Sequence, residues 1–142
     1  MKNFILTLLV AFSFHLQAFA ADIKWTVAIY SAGDEEEMGT YGERLIEEIT
    51  RAKVGPNSEV FILHDSVTPG KDRRVVLRPD HEAKIEPLTE FDAAEPKVLR
   101  SFLEWVNTAG KGEHRMFLFL GHSWGWKGII QDYAIPGWPG KD

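Results

Sequence analysis

The chain has 142 residues, of which 44% are hydrophobic, 26% charged and 12% aromatic, the makeup of one folded domain and not of a disordered or fibrous chain. Sixteen Lys and Arg against 21 Asp and Glu leave a net charge of −5 with no basic block, which argues against a nucleic-acid groove or an anionic membrane surface as partner. Cysteine is absent, so disulfides, Cys-ligated zinc, a lipid-bearing cysteine and a thiol nucleophile are excluded within these residues.

Residues 1–20 read as an export signal. Lys2 supplies the positive start, Phe4 to Phe14 form an apolar run, and Ala18-Phe19-Ala20 offers the small-x-small pattern cleaved before Ala21. The run is too short to span a bilayer, which takes about 20 apolar residues. The expectation is a secreted or periplasmic protein, with residues 21–142 as its single domain and no membrane contact after cleavage.

Three short apolar runs follow, at Trp25–Tyr30, Val60–Leu63 and Met116–Leu120. None alternates strictly between polar and apolar, so each is expected to be a strand buried on both faces, as in a parallel sheet. Between the first two, Met38, Tyr41, Leu45, Ile49 and Ala52 recur at steps of three and four, predicting an amphipathic helix over Asp34–Lys53. Acid in its first turn, base in its last and Gly55-Pro56 beyond mark its ends. Val75–Leu77 and Lys84–Leu88 flank Arg78-Pro79-Asp80-His81-Glu82 and predict a hairpin. A second helix is expected over Ala94–Ala109, with Pro96 in its first turn, Val98, Leu99, Phe102, Leu103 and Val106 as its buried stripe, and Gly110 ending it. The predicted fold class is α/β: a mostly parallel sheet with flanking helices and a small hairpin on its rim. After Leu120 come a Trp- and Gly-rich stretch and a Gly/Pro-rich end without a further helix or strand, so the sheet reads as incomplete at its C-terminus.

In open α/β sheets ligands bind at the carboxyl ends of the strands. Those ends carry Ser31-Ala32-Gly33-Asp34, His64-Asp65-Ser66 and Gly121-His122-Ser123. His122 stands out because it follows a predicted strand directly and opens Gly121-His122-Ser123-Trp124-Gly125-Trp126, where glycines allow close approach and Trp rings can exclude water. Imidazole is the side chain that exchanges a proton near neutral pH, so a histidine there can serve as general base or acid, or simply hold the loop.

These residues resemble the clostripain-type cysteine peptidases, which share the caspase-like fold. The resemblance rests on the strand Lys24–Tyr30 followed by acidic Asp34–Glu37, the second strand ending in Asp65, a helix containing Leu99–Trp105, and above all a strand leading into His122-Ser-Trp-Gly-Trp126, with Asp132 shortly after. It implies that His122 is the histidine of a Cys/His dyad and that the first strand lies in the middle of the sheet. It further implies that residue 123 contributes a backbone N–H to the oxyanion hole. Ser123 replaces the family's usual glycine there, and a glycine-only conformation would strain it by roughly 1–3 kcal/mol. The family's cysteine lies on the next strand, which these residues do not contain, and neither Ser31 nor Ser66 sits in a nucleophile elbow.

The expectation is therefore the N-terminal portion of a secreted clostripain-like cysteine endopeptidase, directed at Arg or Lys by resemblance, truncated before its cysteine and inactive alone. Its partners would be a protein or peptide substrate once completed, and a second polypeptide carrying the Cys half. No cofactor is required for the chemistry; the resemblance allows calcium. Two other readings stand beside it. One is a non-enzymatic secreted binding module that retains the half-fold, with Trp124, Trp126 and Trp138 available to stack on a ligand. The other is metal hydrolysis by His64, Asp65, Asp34 and His122. His81 and His114 are expected to be solvated.

Overall fold

The computed structural model describes residues 22–33, 36–123 and 130, with the side chains of 36–38 left aside. The export signal at 1–20, Asp34, Trp124, Trp126, Asp132 and Trp138 lie outside the described residues.

Seven elements follow in order: β1 (Trp25–Gly33), α1 (Glu36–Arg51), β2 (Ser58–Ser66), β3 (Arg73–Leu77), β4 (Lys84–Pro87), α2 (Pro96–Ala109) and β5 (His114–Leu120). They build one five-stranded sheet in the order β4-β3-β2-β1-β5. β1 pairs in parallel with both β2 and β5, so the first strand is central as expected. The hairpin continues the sheet: β3 runs antiparallel to β2, and β4 antiparallel to β3. Its turn works because Asp80 takes a positive φ of 58°, a conformation that Asp tolerates better than most residues, and His81 N–H closes on Arg78 O at 3.3 Å.

Strand alternation splits the core in two. On one face Ala28, Tyr30, Phe61 and Leu63 pack with Phe102 and Val106 of α2. The Tyr30 ring meets Phe102 edge-on at 5.4 Å, and its hydroxyl donates to Ala93 O at 2.7 Å. On the other face Ile29, Ile62, Val75 and Leu77 pack with Ile46 of α1. Pro96 suits the first turn of α2, where its missing N–H costs nothing, and Gly110 N–H closes the last turn on Val106 O.

Two expectations are corrected. The buried stripe of α1 is not the one that apolar spacing marks: Tyr41 is 57% exposed and Ala52 is exposed, whereas Gly39, Gly42 and Ile46 face the sheet. Glycine carries no hydropathy signal, yet it lets the helix approach the strand ends. A Cβ on Gly39 would strike Val67 and lie 2.6 Å from Gly33 O; one on Gly42 would lie 3.0 Å from His64 Cε1. The second correction concerns β5, expected to be buried on both faces. Met116, Phe117, Leu118 and Phe119 are 39–46% exposed, because among the described residues β1 is its only neighbour in the sheet.

Candidate functional site at the carboxyl ends of the strands

The register sets Leu120, Ser31 and His64 in one row across β5, β1 and β2. Beyond that row the chain diverges in character from one strand to the next.

At the end of β2, His64 continues the face begun by Ile62 and is completely buried. Its Nδ1 lies 3.0 Å from Ser31 Oγ and its Nε2 3.2 Å from Glu43 Oε1 on α1. Glu43 can only accept while ionised, so Nε2 carries the proton and Nδ1 accepts from the serine hydroxyl. Ser66 Oγ donates to the same Glu43 oxygen at 2.7 Å, and Arg73 Nη2 pairs with the other. Burial holds the His64 pKa down at about 4, outweighing the attraction of Glu43. Burial pushes Glu43 upward, but the hydrogen bonds from Ser66 and Arg73 and the Arg73 charge overcome it and bring the carboxyl to about 2.

Ser31, His64 and Glu43 thus stand in the order of a hydrolase triad. The arrangement cannot act as one, because Ser31 is 2% exposed and Gly42 of α1 lies over both Ser31 and His64. No substrate carbonyl can reach the hydroxyl. The cluster instead fastens α1 to β2 and β3 through satisfied polar contacts.

The metal reading is corrected by the same geometry. Both ring nitrogens of His64 are engaged, and His64 and Asp65, as successive strand residues, point to opposite faces. Among the described residues a different trio could hold an ion: Asp65, Asp72 and Glu90 each bring a carboxylate oxygen within 4.8 Å of the others. Such hard oxygen donors suit calcium by their chemistry. One of them has a structural task, since Asp72 Oδ1 accepts the Ser66 N–H at 2.9 Å.

At the end of β5 the setting is open. His122 and Ser123 are both exposed, two and three residues beyond the Leu120–Ser31–His64 row. Gly121 permits a close approach to β1: a Cβ there would lie 3.3 Å from Ala32 Cβ and 3.2 Å from Ile130. Ser123 does not have the left-handed backbone that a required glycine would imply; Asp80 is the one non-glycine with positive φ among the described residues. The expected strain at Ser123 is therefore absent. His81 and His114 are exposed, the latter stacked 4.9 Å from Trp25 at the opposite end of the strands.

The opposite end is closed by Glu59, which is fully buried. It accepts from Thr26 Oγ1 at 2.8 Å, Arg78 Nε at 3.1 Å and the Lys111 backbone. Burial alone would raise its pKa, but the Lys111 N–H, Thr26 and Arg78 lower it. Among the described residues, these contacts brace this end.

No protein-family model and no curated protein matches the chain. Solved structures do. A cysteine protease of B. fragilis superposes at TM-score 0.60 with 19% identity, over 72% of this chain and 92% of that one. A secreted C11 cysteine protease from Bacteroides thetaiotaomicron, solved with an irreversible peptide inhibitor, gives 0.61 and 15% over 72% of this chain. An inactive zymogen C11 protease from Parabacteroides distasonis gives 0.56 and 20% over 74%. The chain spans only 30% and 32% of those last two proteins. At such identities the likeness shows the fold, and it is the caspase-like fold that the sequence resemblance implies.

Proposed function

We propose that this chain supplies the histidine-bearing part of a C11-type cysteine endopeptidase, in which His122 is the general base. The observation that carries the reading is the placement of His122: exposed, just past the carboxyl end of β5, a strand whose apolar side chains lie open on both faces. A cysteine must come from outside these 142 residues, since they contain none. A strand laid parallel against the free edge of β5 would bring its own carboxyl end beside His122, and its side chains would flank Met116, Phe117, Leu118 and Phe119. That strand belongs to a Cys-bearing segment or a second polypeptide. The split in size among the solved proteases supports this, because the chain matches nearly the whole of two and about a third of two others.

In the completed site His122 takes the thiol proton, the thiolate attacks the scissile carbonyl, and the Ser123 N–H helps to hold the resulting oxyanion. His122 then protonates the leaving amine, and water attacks the thioester with His122 as base. Substrates are peptides; by the same resemblance the residue before the cut is Arg or Lys. Secretion after cleavage before Ala21 completes the reading.

The test joins residues 21–123 to the Cys-bearing remainder of the secreted Bacteroides thetaiotaomicron protease and measures cleavage of Arg- and Lys-containing peptides. The fusion is expected to turn over while the present chain alone does not. Turnover by the chain alone would refute the proposal. A folded fusion that binds such peptides without cleaving them would favour the binding-module reading.

A further inference from the structure

On the α2 face, away from His122, a cavity of about 400 Å³ lies between α2 and the end of the hairpin. Its walls are apolar, built from Leu63, Leu88, Phe91, Phe102 and Trp105. That is the size and character of a small-molecule pocket, in which an apolar lining carries a few placed polar groups. The polar group here is Arg74. Its guanidinium stacks 5.0 Å above the Trp105 ring, and its Nη2 donates to Glu86 Oε1 at 2.7 Å. Its Nε is buried and has no hydrogen-bond partner. The side chain is nevertheless 32% exposed, so its outer N–H groups remain open to an anion in the pocket. Lys97 also lines the pocket, with its ammonium paired to Glu95.

We propose that this pocket binds a small carboxylic acid with an apolar body, an arylalkanoate or medium-chain fatty acid, whose carboxylate is held by Arg74 and whose hydrocarbon lies on Trp105 and Phe102. The choice of a carboxylate follows from the planar guanidinium, whose N–H groups donate to two oxygens side by side. The choice of an apolar body follows from the walls. Glu86 already occupies one edge of the guanidinium and competes for it. The inference is independent of the role of His122.

The probe is sodium 4-phenylbutyrate, titrated into the ¹⁵N-labelled full chain while the Arg74 Nε–H and Trp105 Nε1–H signals are followed by NMR. Both are expected to shift saturably with one dissociation constant. The uncharged analogue 4-phenylbutan-1-ol and the Arg74→Gln variant are each expected to bind about ten-fold more weakly. Glu86→Gln, at a half-exposed position, is expected to tighten binding. Ser101→Trp, on the exposed side of α2 at the pocket mouth, is expected to block it while leaving Arg74 in place. No saturable shift up to about 10 mM, equal binding of the alcohol, or weaker binding by Glu86→Gln would each overturn the proposal.

Discussion

Two histidines end neighbouring regions of one sheet edge, and they could hardly differ more. His64, past the apolar run of β2, is sealed beneath Gly42 with both ring nitrogens bonded and its proton affinity depressed to about 4. His122, past the apolar run of β5, is exposed beside a strand that lacks a second neighbour among the described residues. Position at a strand's carboxyl end therefore does not by itself assign chemistry. What separates the two is cover: α1 lies on β2 and turns its polar end into a brace, while His122 and Ser123 beyond β5 stay exposed.

The largest effect expected from breaking this contrast is at Glu43. Glu43→Ala leaves Arg73, Ser66 and His64 without their shared acceptor and should cost about 3–5 kcal/mol in urea unfolding. Acid should reproduce part of that loss. The folded His64 titrates at about 4 against an ordinary 6.5, so below pH 6.5 the unfolded chain takes up a proton that the fold refuses, and stability falls down to about pH 4. Glu43, held at about 2 against 4.5, contributes stability above pH 4.5 that is lost as pH drops toward 2. Both losses have the same sign, so stability should fall continuously as pH drops from 6.5 toward 2. His64→Asn, whether or not it folds as stably, should abolish the loss between pH 6.5 and 4.

Smaller effects come from the helix contact. Gly39→Ala drives a methyl against Val67 and the Gly33 carbonyl and should cost about 1–3 kcal/mol despite alanine's better helix propensity. Gly42→Ala meets only side-chain atoms, at 3.0 Å and beyond, and should cost less. The smallest effect is at the other histidine: His122→Ala, at an exposed position, should change stability by no more than about 0.5 kcal/mol.

The sequence was readable where hydropathy speaks. Both helices, all three parallel strands and the hairpin lie where apolar spacing and turn residues predict, with strands a few residues longer because polar ends such as Ser31-Ala32-Gly33 and His64-Asp65-Ser66 still pair. The brace was not readable. Glu43 and Arg73 are ordinary charged residues in sequence, and only the docking of α1 through Gly39 and Gly42 brings them to His64. One signal was present: His64 continues the period of Ile62, which places an imidazole in the core and calls for partners on both nitrogens. The exposure of β5 was hidden for the opposite reason, since an apolar strand reads the same whether or not a neighbour covers it.

The contrast is tested most directly in the fusion of residues 21–123 with a Cys-bearing remainder, by comparing peptide cleavage rates of His122→Ala with those of His81→Ala and His114→Ala, the other exposed histidines. Loss of the general base should lower the rate by at least about 10²–10⁴-fold for His122→Ala alone, with the other two near the parent rate. Equal rates for all three variants would contradict the assignment of His122.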